Sequence, residues 1–524
     1  MTALGLVAMG FAALSGPVVA ANDNPAPTIE SIEILVEDVF EDGGATPDYW
    51  IYRLANQLHI ETKEDVIRRE LLFEEGESLD PEALAQTERN LRALPFLRAA
   101  RIETYPVRPE TEGGPVRVRV LVGDSWSTMP EARLAKLGNE WVWGLGASEK
   151  NLLGKGKELQ ALHNSGLERD ETFALYRDRR LLGSRVELST FYSAASDGHN
   201  AAIGALRPFY SLDSRWSFRV GYEDFDRLDP LYQDGERVQD FRHTRSRGSF
   251  EIGRAVRRGD TSALRLHMAY ELSDDDVEVD RRKFGILQVG LTSVSHSFLE
   301  LTHVNRFERV EDINLGNEAA AFFGISAPVL GGEPGHSYFL FLSERRGFAL
   351  NPDGFFLGSA SWQARRRGGD LENSVARFRV DVVQKLSERR IFLAKADFHY
   401  GSNLDPEVQL RLGADNGLRG YPVRQFNGNR TLLFSAEGRW FLADDVLRLV
   451  SIGVAAFFDS GFAWPEGTPI AFHDLRSDVG ISLLLGANRV SASRPGVRFD
   501  FAYALNPIEG RSQWLISAGS QLGF

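Results

Sequence analysis

Cysteine is absent from this sequence of 524 residues. Its absence excludes disulfide bonds, thiol nucleophiles and cysteine-based metal sites, and it suits a chain that crosses an oxidising compartment unfolded, where free thiols would mispair. An excess of positive charge is also absent, because 60 Lys and Arg stand against 73 Asp and Glu, a formal net charge of -13. Binding to a phosphate backbone needs clustered Lys and Arg, so we expect no nucleic-acid partner.

Long hydrophobic runs are missing beyond the N-terminus. Residues 4–19 are almost free of polar side chains and end in small residues at Ala20 and Ala21. This pattern predicts a secretory signal peptide over residues 1–21, although no Lys or Arg precedes the apolar run, and an N-terminal anchor helix is the alternative. After residue 21 nothing approaches the roughly 18 apolar residues that a membrane helix needs. If the remainder enters a membrane, it does so as strands.

Motifs of catalysis are lacking as well. Ser295 and His296 are adjacent, but neighbouring residues on a strand point to opposite faces and cannot form a dyad. The sequence has no nucleophile elbow, phosphate-binding glycine loop or metal-spaced histidine cluster. We therefore predict a protein that is not an enzyme and that uses no cofactor and no metal.

Aromatic residues and glycine are abundant, with 34 Phe and 50 Gly, which is typical of a β-rich protein with many tight turns. From Asp124 to Phe524 the pattern is one of strands and turns. In residues 497–505 the odd positions are large and apolar and the even positions are charged or small, as in a strand between lipid and a polar lumen. Roughly 400 residues at about 25 per strand predict a transmembrane antiparallel β-barrel of about sixteen strands. The soluble alternative is a large β-sandwich or propeller, but no blade-length repeat is visible.

Residues 22–124 predict a small α/β domain with the order β, α, α, β, β. Ile32, Ile34 and Val36 alternate with charged residues, and Asp80 before Pro81 signals the start of a helix. The last predicted strand has its apolar residues at every second position, namely Val116, Val118, Val120 and Val122.

The runs from Glu64 to Gly76 and from Asn90 to Phe96 resemble a POTRA domain, the periplasmic module of the BamA-like outer-membrane barrel superfamily. Only one such domain is present, whereas BamA carries several, TamA three and two-partner secretion transporters two. The segment near residues 40–61 resembles an insertion into the usual module. The resemblance implies a POTRA domain over residues 22–124 and an outer-membrane barrel over residues 125–524, with sixteen strands in the superfamily.

Two stretches carry the candidate site. The first, Gly413 to Tyr421, has an arginine between glycines, and the second, Phe457 to Gly461, has a central aspartate. An arginine and an aspartate inside a membrane barrel are expected to be each other's partners, although Arg-Gly also marks ordinary turns. The resemblance implies a loop folded into the lumen, whose tip Arg419-Gly420-Tyr421 contacts Asp459. It also matches Glu437 and Arg439 to a charged pair on a neighbouring strand.

The C-terminal strand has apolar residues at alternate positions and ends in an aromatic residue, which resembles the sorting signal of outer-membrane barrels; these residues are Trp514, Ile516, Leu522 and Phe524. The barrel seam is expected between this strand and a first strand near Trp141 to Ala147. Paired arginines such as Arg257 and Arg258 are expected at solvated turns, and a lipopolysaccharide contact on the outer rim is the alternative.

The resemblance implies an assembly factor in the bacterial outer membrane, with its POTRA domain in the periplasm. An unfolded outer-membrane or secreted polypeptide would add a strand to the POTRA edge, expected at Val116, Val118 and Val120, and then reach the seam or the lumen. The alternatives are a secretion pore for one dedicated partner and a passive barrel whose POTRA domain docks other proteins. Expected partners are therefore such polypeptides, outer-membrane lipid or lipopolysaccharide, and periplasmic or inner-membrane accessory proteins.

Overall fold

The computed structural model describes residues 26–39, 59–108, 113–137, 140–307, 309–446, 450–486 and 496–519. The predicted signal peptide, most of the predicted insertion near residues 40–61, and the C-terminal Leu522 and Phe524 lie outside these ranges. Within them, no helix has both the length and the apolar character needed to cross a membrane.

The first described residues form a small α/β unit in the predicted order. Its elements are β1 (Ile29–Glu37), α1 (Glu64–Arg68), α2 (Pro81–Arg92), β2 (Leu97–Pro106) and β3 (Val116–Asp124). Helix α2 begins where the sequence predicts, because the Asp80 carboxylate accepts a hydrogen bond from the backbone N–H of Glu82 at 2.9 Å and Pro81 is the first helical residue.

The three strands of the unit form one sheet with β3 in the centre, parallel to β1 and antiparallel to β2. The predicted edge is therefore wrong: Val116, Val118 and Val120 lie on the central strand and are buried in the core of the unit. Alternation of apolar residues indicates which face of a strand is buried, but it carries no information about the strands on either side. The edges of the sheet are β1 and β2.

The rest of the chain forms a closed antiparallel barrel, which confirms the predicted fold class. Its strands are β4 (Thr128–Leu137), β5 (Glu140–Glu149), β6 (Lys157–Ser165), β7 (Asp170–Asp178), β8 (Glu187–Ala195), β9 (Gly198–Arg207), β10 (Trp216–Gln233), β11 (Glu236–Arg258), β12 (Ser262–Val277), β13 (Asp280–Ser295), β16 (Glu318–Ser326), β17 (Ser337–Asn351), β18 (Gly354–Arg367), β19 (Asp370–Ser387), β20 (Arg390–Ser402), β23 (Arg430–Val446), β24 (Val450–Trp464), β25 (Arg476–Gly486), β26 (Val497–Ala504) and β27 (Trp514–Gly519). Two short hairpins outside the barrel wall are β14 (Phe298–Thr302) with β15 (Val310–Asn314), and β21 (Leu410–Leu412) with β22 (Phe426–Gly428).

The barrel has twenty strands in the described residues, so the expected count of about sixteen is too low. The estimate assigned too many residues to each connection, whereas several hairpins turn within two residues, as at 234–235 and 368–369.

The predicted first strand is also wrong. Trp141 to Ala147 lie in β5, the second barrel strand. The first barrel strand is β4, and the barrel closes between β4 and the last strand, β27. Strand β4 contains Pro130 and charged residues, which weaken its alternation relative to that of β5.

The barrel wall alternates as the sequence predicts. On β26, Val497 and Phe501 are 42% and 46% exposed on the outer surface, whereas Arg498 and Asp500 are 8% and 6% exposed inside. On β27, Trp514 and Ile516 also point outward. The barrel therefore has an apolar exterior and a charged lumen, the reverse of a soluble barrel with an apolar core.

The two ends of the barrel differ. The end that carries the α/β unit, here the proximal end, includes the β5–β6 turn, where the Gly154 carbonyl accepts a hydrogen bond from the backbone N–H of Lys63 at 3.0 Å. The opposite, distal end carries the lumen loop, residues 403–429, which folds into the barrel. A second inward segment, the proximal hairpin of residues 296–317, enters from the proximal end and includes β14 and β15.

Candidate functional site

The tip of the lumen loop is fixed by Arg419. Its guanidinium forms a bidentate pair with Asp459 on β24, Nε to Oδ2 at 2.6 Å and Nη2 to Oδ1 at 2.8 Å. Nη1 donates to Glu437 on β23 at 2.6 Å, and the guanidinium carbon lies 3.5 Å from the centre of the Phe457 ring. Desolvation by itself would lower the pKa of Arg419, but the carboxylates of Asp459 and Glu437 raise it above its ordinary value. The structure thus brings together the residues that the two sequence stretches single out.

Glu437 connects three arginines. Besides Arg419, it accepts from Arg439 Nε at 2.6 Å and from Arg498 Nη2 at 2.9 Å. Glu437 and Arg439 are almost completely buried, and Arg498 on β26 continues the chain of ion pairs to Asp500 at 2.7 Å. Because each charge is compensated, the network tolerates burial that an isolated ion would not.

Gly420 permits close contact between the loop tip and the barrel wall. A Cβ atom at this position would lie 2.5 Å from the Cβ atom of Asp478 on β25. Asp478 stands directly opposite Asp459 in the sheet, and both are fully buried. Only a residue without a side chain therefore allows Arg419 to reach its carboxylates.

Tyr421 anchors the other side of the tip. It is 1% exposed, and its hydroxyl is directed at two backbone carbonyls, of Ser477 at 3.0 Å and of Asn506 at 3.2 Å. Burial raises the pKa of the Tyr421 hydroxyl to about 12, so that the group remains a donor at neutral pH.

Sequence analysis expected paired arginines at solvated turns, which is wrong for Arg282 and Arg365, and it therefore missed a further anchor at the base of the lumen loop. Arg282 on β13 is 1% exposed and binds Asp405 at 2.8 Å and Glu407 at 2.6 Å. Arg365 on β18 binds Asp405 from another strand at 2.7 Å. These side chains belong to three distant segments of sequence, and only the alternation of inward positions could have indicated Arg282 and Arg365 as lumen residues.

One group of side chains near this anchor has donor atoms at metal-ligand spacing, His243, Asp275 and Glu407. The guanidinium of Arg282 binds both carboxylates, at 3.0 Å for Asp275 and 2.6 Å for Glu407. A cation would compete with this buried positive charge. Among the described residues the group therefore fits an ion-pair network better than a metal site.

The proximal hairpin meets the same central network. The Arg439 Nη1 atom donates to the backbone carbonyl of Val304 at 2.8 Å, so Glu437 and Arg439 connect the lumen loop to the hairpin. Apolar residues of the hairpin pack on the inner wall, with Phe307 2% exposed and edge-on to Phe441 at 5.1 Å. Burial raises the pKa of Glu311 in this hairpin, although it accepts hydrogen bonds from two backbone N–H groups. The lumen is thus occupied from both ends.

The proximal hairpin and the barrel also hold the α/β unit. Arg92 at the end of α2 binds Asp312 of the hairpin through two hydrogen bonds, at 2.9 and 2.5 Å. Glu70 forms a bidentate pair with Arg180 in the β7–β8 turn. Only residues 125–127 separate β3 from the first barrel strand, and the N–H of Ser125 is bonded to the Phe96 carbonyl at 2.8 Å. The unit therefore lies directly beside the proximal end of the seam.

No family model and no curated protein matches this sequence. Solved structures that match this chain include BamA from Haemophilus ducreyi lacking POTRA domains 1–3, at 12% identity and a TM-score of 0.41, over 94% of this chain and 84% of that chain. CdiB from Acinetobacter baumannii has 11% identity and a TM-score of 0.46, over 94% and 73% of the two chains. CdiB from Escherichia coli has 13% identity and a TM-score of 0.46, over 97% and 92%. At such identities and TM-scores, the similarities assign no activity to this chain.

Proposed function

We propose that this chain is a bacterial outer-membrane barrel. The proposal is supported by the apolar exterior, where Trp440, Phe458 and Ile481 are 40%, 42% and 62% exposed, against a lumen full of paired charges. A soluble protein rarely exposes so large an apolar surface, whereas a membrane barrel requires it.

The function that the geometry supports best is assembly of other polypeptides, with the α/β unit acting as a periplasmic POTRA-type module. The observation that carries this proposal is the three-residue connection between β3 and the first barrel strand, which holds the unit beside the seam between β4 and β27. A polypeptide bound at an edge of the small sheet would therefore lie next to the strands with which it has to pair. Hydrogen bonding and desolvation would drive capture and insertion of the polypeptide, without a catalytic residue.

The occupied lumen favours the seam as the route. Passage through the lumen would require the lumen loop to leave Asp459 and Glu437, and the proximal hairpin to leave Arg439 and Phe441. Separation of β4 from β27 requires no change in these buried ion pairs. We therefore favour insertion at the seam over export by a dedicated secretion pore.

Strand β2 is the proposed capture edge. The N–H of Ile102 points away from β3 and is bonded to Glu88 Oε2 at 2.9 Å, so the N–H of Thr104, two residues on, faces the same open side. The nitrogen of Pro106, two residues further on, lies on the same open side of β2, where a missing N–H costs no hydrogen bond within the sheet. An incoming strand would displace Glu88 and bind these groups.

The proposal is tested with the purified protein in liposomes, to which an unfolded outer-membrane barrel is added. We expect faster conversion of that substrate to a protease-resistant form than in empty liposomes. Thr104→Pro removes an outward N–H and should lower the rate severalfold, whereas the matched Thr104→Ala keeps the N–H and should not. Both variants have to retain the folded barrel, measured by its mobility before and after heating.

Two other results would replace the proposal. A steady ion conductance without acceleration would favour the secretion pore and an exported partner. Neither acceleration nor conductance, together with recovery of periplasmic or inner-membrane proteins on the α/β unit, would favour the passive docking barrel.

A further inference from the structure

A cluster of arginines lies at the proximal end of β11, away from the lumen network. Arg215, Arg254 and Arg258 line a cavity of about 360 Å³ together with Ala255 and Val256. The chain as a whole is acidic, so a cavity lined by three arginines is a local exception.

Arg254 faces outward, among apolar side chains. Its neighbour Gly253 faces inward, where a Cβ atom would meet Ser217 and Phe209. In the sheet, Arg254 stands between Trp216 on β10 and Leu266 on β12, which are 41% and 42% exposed on the outer surface. A guanidinium group among lipid-facing residues is costly unless it lies at the membrane interface and binds an anion there.

The cluster lacks the acidic partners that most arginines of the barrel have. Among the described residues, the side chains of Arg215 and Arg254 form no ion pair or hydrogen bond, and Arg258 reaches Asp213, whose side chain is 87% exposed. At the distal end, by contrast, Arg281, Arg365 and Arg367 are each bonded to carboxylates. The positive charge of the cluster is therefore available to a ligand.

The neighbouring aromatic residues place this cluster near the membrane boundary. Trp216 stacks on Phe218 at 5.8 Å and is covered by the guanidinium of Arg207 at 4.1 Å. Exposed tryptophan is enriched where the apolar part of the bilayer meets the headgroups, and arginine side chains extend toward the same level. The cluster thus lies where lipid phosphates are found.

We propose that Arg215, Arg254 and Arg258 bind the phosphate group of an anionic phospholipid at the proximal boundary of the membrane. Planar guanidinium groups suit phosphate oxygens, and three of them compensate the charge of a phosphodiester. This inference rests on the membrane placement proposed above, but not on assembly activity. It also locates the Arg257-Arg258 pair at the end opposite the lumen loop, so a lipopolysaccharide contact on the outer rim is not expected for that pair.

The test is native mass spectrometry of the full-length protein in detergent micelles, titrated with phosphatidylglycerol, phosphatidylcholine or inorganic phosphate. We expect tighter binding of phosphatidylglycerol than of phosphatidylcholine. Each arginine removed should weaken binding about fivefold, so Arg215→Gln with Arg254→Gln should weaken it about 25-fold. Arg254→Lys keeps the charge and should lose less affinity for phosphatidylglycerol than Arg254→Gln.

Arg281→Gln is the matched control, because this distal arginine is exposed but paired with Asp274. It should bind phosphatidylglycerol as the unmodified protein does. Equal binding of the two lipids, or unchanged binding by the double variant or by Arg254→Gln, would overturn the proposal. Tighter binding of inorganic phosphate than of phosphatidylglycerol would assign the site to free phosphate instead. Lipid binding is measured without a polypeptide substrate, so its failure is distinguishable from failure of the assembly assay.

Discussion

At the scale of single residues, Arg419 is the centre of the lumen site. It is the only part of the loop tip that reaches both Asp459 and Glu437 in the described network, and its planar fork engages the two oxygens of Asp459 at once. Lysine offers one point charge and could not reproduce this geometry.

We predict that Arg419→Ala destabilises the barrel by about 3–5 kcal/mol, because it leaves the buried Asp459 without its cation and removes one of the three arginines bound to Glu437. Asp459 and Glu437 are 0% and 1% exposed, so water does not replace the lost partner. The stability of Arg419→Lys should lie between that of Arg419→Ala and that of the unmodified protein. The measurement is the urea midpoint of unfolding in detergent micelles. The exposed Arg281→Ala should leave that midpoint unchanged, and an equal midpoint for Arg419→Ala would contradict the anchoring role.

A second residue-scale prediction concerns pH. Tyr421 has a pKa of about 12 in the folded protein, raised from the ordinary value of about 10. Folding favours the neutral form of Tyr421. The contribution of this group to the free energy of unfolding is therefore complete below pH 10 and is lost as the pH rises from 10 to about 12. Tyr421→Phe should be less stable by about 1 kcal/mol at pH 8. The difference between the two proteins should shrink as the pH rises through that window. Other tyrosines titrate in both proteins and cancel in the difference, and a difference that is independent of pH would contradict the assignment.

At the scale of elements, the proximal hairpin is the least expected part of the molecule. It is a connection between two barrel strands, yet it packs inward, bonds to Arg439 and holds Arg92 of the α/β unit. One short element therefore contacts the lumen network and the docked unit at the same time.

Phe307→Ala should loosen this hairpin. The ring is 2% exposed between Phe441 and Gly486, and its removal leaves a cavity that typically costs about 3–5 kcal/mol. We expect a higher ion conductance in planar bilayers than for the unmodified protein. Leu182→Ala, on a proximal turn and 98% exposed, is the control and should conduct as the unmodified protein does. Unchanged conductance in Phe307→Ala would show that the hairpin does not limit passage through the lumen.

At the scale of the whole molecule, the α/β unit is held against the barrel by charges as well as by the chain connection. Glu70 and Arg180 have side chains that are 12% and 13% exposed and form a bidentate pair. Their partial burial makes this pair stronger than a typical surface ion pair.

Charge reversal tests this docking. Glu70→Arg and Arg180→Glu should each separate the unit from the barrel, and the double variant should restore the contact, with a coupling of about 0.5–3 kcal/mol. Because the chain has no cysteine, spin labels can be attached at Ser78→Cys and Val329→Cys, and the distance between them can be measured by pulsed electron paramagnetic resonance. The single reversals should broaden the distance distribution and the double variant should narrow it. Equal distributions in all four proteins would exclude a docking role for this pair.

Much of the architecture was predictable from local pattern. Alternation on β26 gave the correct inward and outward faces, and the capping residues Asp80 and Pro81 gave the start of α2. The number of strands and the identity of the first strand were not predictable from local pattern. The first depends on the lengths of the turns, and the second on a strand that is interrupted by Pro130.

Local patterns were enough to predict the β-barrel class, the βααββ order of the first unit and the candidate residues Arg419 and Asp459, because periodicity and short motifs are properties of neighbouring residues. Long-range strand pairing, by contrast, places β3 in the centre of its sheet, brings Arg282 and Arg365 to the base of the lumen loop, and packs the proximal hairpin against the inner wall. These features depend on which distant strands become neighbours when the barrel closes. Pairing across such sequence distances is set by the summed energy of the whole sheet and leaves no local pattern to read.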